Sequence, residues 1–174
     1  MRIDTQRWIL AVILLTAFTS FANFNGFSLV LPPFFDIRDQ AHFQFAAMAS
    51  TYRLRGLQLS PLVSTSNDAK GWQVGLFNMC NQSIGGVQLG VGNGTGDLQG
   101  WQFGAVNQAE RACGLQFGLA NFVSREANGV QVGITNEAAT KVTTNTGVLV
   151  QIGLLNCIGP EESQQVWPVV NICW

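Results

Sequence analysis

The chain has 174 residues, 47% hydrophobic and only 11% charged, with a formal net charge of −1. That is one domain's worth of sequence, with too little charge for a disordered tail. The 9 Lys and Arg residues form no stripe that could track a phosphate backbone, so nucleic acid is not an expected partner, and 19 glycines argue against a helical bundle, since Gly costs about 1 kcal/mol relative to Ala inside a helix.

At the N-terminus, Arg2 and Arg7 precede an uncharged apolar run from Trp8 to Phe18, and Ser20-Phe21-Ala22 places small residues at alternate positions. This is the pattern of a secretory signal peptide, with cleavage expected after about Ala22. The apolar run has 11 residues, against the roughly 20 that a spanning helix needs. Residues 1–22 are therefore expected to be a leader and the protein to be exported to the periplasm, outer membrane or cell surface. Residues 23–55 read as an N-terminal cap or first strands.

From Gly56 to Asn156 the chain repeats one unit, Gly-Φ-Gln-Φ-Gly-Φ-x-Asn, where Φ is apolar. It is cleanest in Gly71 to Asn78, Gly100 to Asn107, Gly114 to Asn121 and Gly129 to Asn136, and Gly86 to Asn93 also obeys it. The first copy, at Gly56, lacks its Asn, and the last, ending at Asn156, lacks its first Gly. Glutamines fall at 58, 73, 88, 102, 116, 131 and 151, and every one from Gln73 onward has an Asn five residues later. Within a unit the polarity alternates with period two, which marks a β-strand with one apolar face. Turn formers and most charges lie between the units. Residues 56–156 are thus expected to be a β repeat domain, and residues 157–174 a C-terminal cap or closing strand.

Two all-β architectures fit this arithmetic. The expected one is a β-solenoid with irregular caps, in which each 14–15-residue unit is one coil and equivalent residues stack along the axis about 4.8 Å apart. In that reading Val74, Leu89, Phe103, Phe117, Val132 and Ile152 form an internal column. Gln73, Gln88, Gln102, Gln116, Gln131 and Gln151 form an outer amide ladder, and Asn78, Asn93, Asn107, Asn121, Asn136 and Asn156 repeat at one corner. The alternative is an outer-membrane β-barrel of about ten antiparallel strands with the apolar column facing lipid, favoured by the terminal Trp174 and the alternation before it. Pro32, Pro33 and Pro168 would fall in the two strands that must pair to close such a barrel, and Pro cannot donate to the ladder.

The repeat, with the preceding leader and the closing Trp-Pro-Val-Val-Asn segment, resembles the bacterial surface repeat-containing proteins of the cell envelope, over Gly56 to Trp174. The resemblance implies a Gram-negative envelope or surface location and carries over no catalytic residue. The chain departs from the pattern at Ser60, at Val63 and in the insertion from Glu137 to Thr146.

Little in the sequence suggests catalysis. His42 is the single histidine, so no His/His or Cys/His pair has metal-ligand spacing. Asp36 and Asp39 could share a turn as a weak cation site. Asp97, Glu110, Glu126 and Glu137 recur between repeats without sharing a phase, which suits a solubilising rim. No catalytic residue, metal or cofactor is expected. The amide face, with Trp72 and Trp101 nearby, could hold an envelope glycan, another sheet or a neighbouring subunit. Of the 4 cysteines, Cys80 and Cys157 would lie five coils apart, whereas Cys157 and Cys173 could form a disulfide across the last insertion.

Overall fold

The computed structural model describes residues 27–29, 35–139, 147–159 and 164–173. The leader and its cleavage point, residues 23–26 and 30–34 of the N-terminal cap with Pro32 and Pro33, the core of the last insertion and Trp174 lie outside the described residues.

The alternating pattern produces a β-solenoid of about seven coils. Its strands are β1 (Phe27–Leu29), β2 (Phe35–Phe45), β3 (Met48–Leu89), β4 (Gly92–Phe103), β5 (Val106–Phe117), β6 (Ala120–Val132), β7 (Thr135–Ala138), β8 (Leu149–Ile158) and β9 (Gln165–Cys173). They pair in sequence order, and every pairing from β1 to β8 is parallel. Consecutive strands of a transmembrane barrel are antiparallel, so the barrel alternative falls. Register is that of the repeat: Asn93 lies against Asn107, Leu98 against Ala112, Gly100 against Gly114 and Gln102 against Gln116.

Each coil turns few side chains inward. In one coil they are Asn107, Ala109, Ala112 and Gln116, all buried. The apolar part of the core is a thin thread of mostly small or aliphatic residues, including Leu54, Ala69, Ile84, Leu98, Ala112 and Ala127. So few inward positions leave a narrow interior in which backbone from opposite sides of a coil is within side-chain reach.

Two glycine columns make that narrowness possible. Gly100, two residues before its Gln, sits so close to the preceding coil that an added methyl would overlap the Gly86 carbonyl oxygen, and the same holds at Gly114 against Gly100. At Gly56, Gly71 and Gly129 of this column φ is also positive, at 144°, 145° and 117°, which a side chain would oppose.

The solenoid ends in a hairpin. β9 pairs antiparallel with β8, setting Cys173 against Leu149, Asn171 against Gln151 and Val170 against Ile152. β9 is an edge strand, so Pro168 is tolerated there. The register breaks opposite Pro168, between the Gly153–Val169 and Asn156–Trp167 pairs.

The glycine geometry gives a paired prediction. Gly100→Ala should destabilise by about 3 kcal/mol or more through backbone overlap. Gly94→Ala, whose methyl would meet nothing within 4 Å, should stay within about 0.5 kcal/mol of the parent. Chemical denaturation of the two variants measures the difference.

Candidate functional site

The glutamines and asparagines identified from the repeat do form ladders, but they lie inside. Gln73, Gln88, Gln102 and Gln151 are completely buried, as are Asn78, Asn107, Asn121, Asn136 and Asn156. The expected outer amide face is therefore the inner one. Conversely Val74, Leu89, Phe103, Phe117, Val132 and Ile152, expected as the internal column, all point outward, Phe117 at 53% exposure. The physical reason is size: Gly-Gln-Gly fits a lumen too narrow for Val-x-Leu or Phe-x-Ala, and amides can satisfy themselves there.

The satisfaction follows one rule in each ladder. Each Gln donates from Nε2 to the Oε1 of the Gln in the preceding coil: Gln88 to Gln73 at 2.9 Å, Gln102 to Gln88 at 2.7 Å, Gln116 to Gln102, Gln131 to Gln116 and Gln151 to Gln131 each at 2.8 Å. The second proton of several reaches a backbone carbonyl across the lumen, as from Gln88 to Gly94 and from Gln102 to Gln108. The asparagines run the other way. Asn78 donates to Asn93, Asn93 to Asn107, Asn107 to Asn121, Asn121 to Asn136 and Asn136 to Asn156, at 2.8–2.9 Å. Their second protons go to the carbonyls of Leu89, Phe103, Phe117, Val132 and Ile152. A carbonyl can only accept, so it fixes which end of each amide faces it.

The ladders extend beyond the residues expected from the sequence. Gln73 donates to Gln58 and Gln58 to Gln44, and Asn171 of β9 donates to Gln151. Gln44 was signalled by Phe43-Gln44-Phe45, placed 14 residues before Gln58. At the irregular copy, Ser64 donates to Gln58 and Ser66 accepts from Gln73. There the Asn ladder stops, leaving Asn78 Oδ1 buried without a partner, along with Ser60 Oγ.

The candidate catalytic and metal groups are not gathered. Asp36 turns inward and pairs with Arg38 at 3.0 Å, while Asp39 and His42 are exposed. Among the described residues no three His, Cys, Asp or Glu side chains stand together as a metal site. The rim charges pair across coils instead, Asp97 with Arg111 at 2.6 Å and Glu110 with Arg125 at 3.5 Å. All four cysteines are free. Cys157 lies opposite Val166 and Cys173 opposite Leu149, at the two ends of the hairpin, so the Cys157–Cys173 bridge is not formed. Burial pushes the Cys80 and Cys157 thiols above their ordinary value, Glu137 adding to it at Cys157. Both are held as neutral thiols.

What remains is the outside. Four adjacent outward columns are mostly apolar and form a continuous wall: those of Trp101, of Phe103 and Phe117, of Leu119 and Ile134, and of Phe77 and Val106. Trp101 meets Phe103 edge-on at a centroid distance of 6.1 Å, and Phe103 lies 6.3 Å from Phe117 in the next coil. An open groove of about 710 Å³ runs along the wall, floored by Gly104, Gly118, Gly133 and Gly153 and stopped by Val169. This wall was legible as an apolar face, but sequence reasoning placed it inside. Comparison with protein-family models, with curated proteins and with solved structures finds no match.

Two expectations follow from the ladders. Asn107→Val should cost about 1–3 kcal/mol, because it strands the donor of Asn93, the acceptor of Asn121 and the Phe117 carbonyl; thermal unfolding reads the loss. Gln102→Glu sets a carboxylate against Gln88 Oε1 and the Gln108 carbonyl, acceptor against acceptor. Burial and those acceptors raise the new carboxyl's folded pKa above its unfolded value of about 4.3. The variant should keep most of its stability below that value and lose it as pH rises through the folded pKa. Denaturation midpoints at acid and neutral pH test the sign.

Proposed function

We propose that this chain is a non-enzymatic repeat protein of the bacterial cell envelope, exported by its N-terminal leader, with a structural or binding role exercised by its outer surface. The observation that carries the reading is the inversion of polarity. The groups with hydrogen-bonding chemistry, Gln102 and Asn107 and their equivalents, are consumed by one another in the interior. The surface offers instead an extended apolar wall with Trp72 and Trp101 each more than half exposed. Soluble monomers rarely expose contiguous apolar patches beyond a few hundred Å², and larger ones mark contact with proteins or membranes. The likeness of the repeat to bacterial surface repeat-containing proteins supports the same location. A glycan partner would have to be held by the wall or the rim, since the amides are buried.

Expression with a C-terminal tag in a Gram-negative host tests the reading. The expected outcome is recovery in the envelope or periplasmic fraction, shortened at the N-terminus by about 22 residues. Recovery of the unshortened chain in the cytosol would sink it.

A further inference from the structure

We infer that the apolar wall docks the solenoid onto an anionic phospholipid bilayer, with Arg55 and Lys70 meeting the lipid phosphates. The inference deepens the envelope reading and rests on it for the place where a bilayer is met. It stands on the distribution of charge around the wall.

Lys70 lies two residues before Trp72, and Arg55 two before Leu57. Both cations are exposed and stand in the column that borders the wall. That column continues as Gly85, Gln99, Cys113 and Asn128, so it contains no acid. On this side the acids are set back, while at the wall's opposite border Glu137 accepts from Gln164 at 2.8 Å. Asp68 and Asp97 lie four residues before Trp72 and Trp101, and Glu110 lies five before Leu115. Asp97 and Glu110 are also occupied by Arg111 and Arg125. Among the described residues neither Arg55 nor Lys70 stands in an ion pair. Together with Arg53 and Asp68 they line a notch of about 190 Å³ that opens beside the wall and carries an excess of positive charge.

A face of Phe, Leu, Ile and Val, carrying Trp72 next to Lys70 and with Arg55 one coil before it, combines the two forces that hold a protein on an anionic bilayer. These are burial of apolar side chains among the acyl chains and attraction of Arg and Lys to lipid phosphate. Trp favours the boundary between headgroup and hydrocarbon. The groove floored by glycines along the wall gives an acyl chain room between Phe117 and Leu119. A second copy of the chain fits less well. Laid wall to wall with like borders facing, it would offer no carboxylate to Arg55 or Lys70, and the one acid of the far border, Glu137, already accepts from Gln164.

Co-sedimentation of the exported protein, shortened by its leader, with vesicles tests this, using phosphatidylcholine alone and phosphatidylcholine containing about one-third phosphatidylglycerol. The expected result is preferential binding to the anionic vesicles. It should weaken as salt shortens the screening length from about 10 Å at 0.1 M to about 3 Å at 1 M. Arg55→Gln combined with Lys70→Gln should lower the partition coefficient at least about tenfold while leaving the melting temperature unchanged. Arg55→Lys with Lys70→Arg should bind like the parent. Phe103→Ser with Phe117→Ser should weaken binding to both kinds of vesicle. Binding that ignores lipid charge and both cations would overturn the inference. So would no binding with a dimer in sedimentation velocity, which would assign the wall to a second copy. Cytosolic recovery in cells would sink the envelope reading instead, while the result with purified vesicles would stand.

Discussion

Two buried amide ladders of opposite direction are the constraint on which the rest of this molecule depends. Each interior rung uses its oxygen to accept from one neighbouring coil and its two protons to donate along the ladder and, in most rungs, to the wall of the lumen. Such a rung works only if its neighbour is the same residue at the same height, so the ladders fix register as tightly as a hydrophobic face does in an ordinary sheet. They also fix the diameter, because a donor that must reach a carbonyl across the lumen within about 3 Å holds the two sides of the coil together. The glycines follow: a side chain beside the Gln would force neighbouring coils apart. Because Gln donates toward the N-terminal coils and Asn toward the C-terminal ones, the dipoles of the two columns oppose each other rather than accumulating along the axis.

The apolar exterior is the complement of that interior. A strand sends alternate residues to opposite faces. Once the inner face is Gly-Gln-Gly, the flanking Φ positions have nowhere to go but out. Val, Ile, Phe and Trp are the residues that favour extended backbone, and stacked at the same height on adjacent coils they shelter one another, as Phe103 and Phe117 do. The wall therefore stabilises the strand as well as presenting a surface. Its cost is exposure, with Leu119 at 58% and Leu154 at 67%. An exposed apolar area that every repeat renews needs a partner more than a solitary Leu on a polar surface does.

The sequence made the period, phase and parallel stacking legible because the Gln and Asn positions recur without drift, and it made the ladders legible because amides at one phase invite pairing. It could not say which face was inside. Period-two alternation separates two faces without labelling them, and the usual rule that apolar residues go in gave the wrong label. The deciding signal was volume: Gly-Gln-Gly is a face for a narrow lumen, whereas Trp72, Phe103 and Phe117 are too bulky for a coil with so few inward residues. Gln44 was missed because the glycines that flank the later glutamines are absent around it. The cysteine pair failed for a geometric reason. The antiparallel return of β9 puts Cys173 at the opposite end of the hairpin from Cys157, which sequence separation alone does not reveal.

The ends of the ladders show how growth of the solenoid is stopped. A stack of identical coils has no intrinsic length, and its last strand would template another chain. At the C-terminal end the Gln ladder terminates on Asn171, whose amide donates to the last free acceptor, Gln151 Oε1, at 2.8 Å. The strand that carries it turns antiparallel and presents Pro168 at the edge, so no further parallel coil can be added in register. At the other end Gln44 spends its protons on the carbonyls of Asp36 and Ser50, at 2.9 and 3.4 Å. The Gln ladder is thus closed at both ends. The Asn ladder is not: it begins at Asn78 with a buried, unpartnered oxygen, because the copy before it has lost its Asn. An orphaned buried acceptor costs roughly 1–3 kcal/mol, and that cost is localised where Ser60, Val63 and Ser66 interrupt the repeat. From Asn78 onward the Asn ladder holds every coil to Asn156, while the coils before it are joined by the Gln ladder, the backbone sheet and single bonds such as that from Thr65 Oγ1 to the Ala49 carbonyl at 3.2 Å.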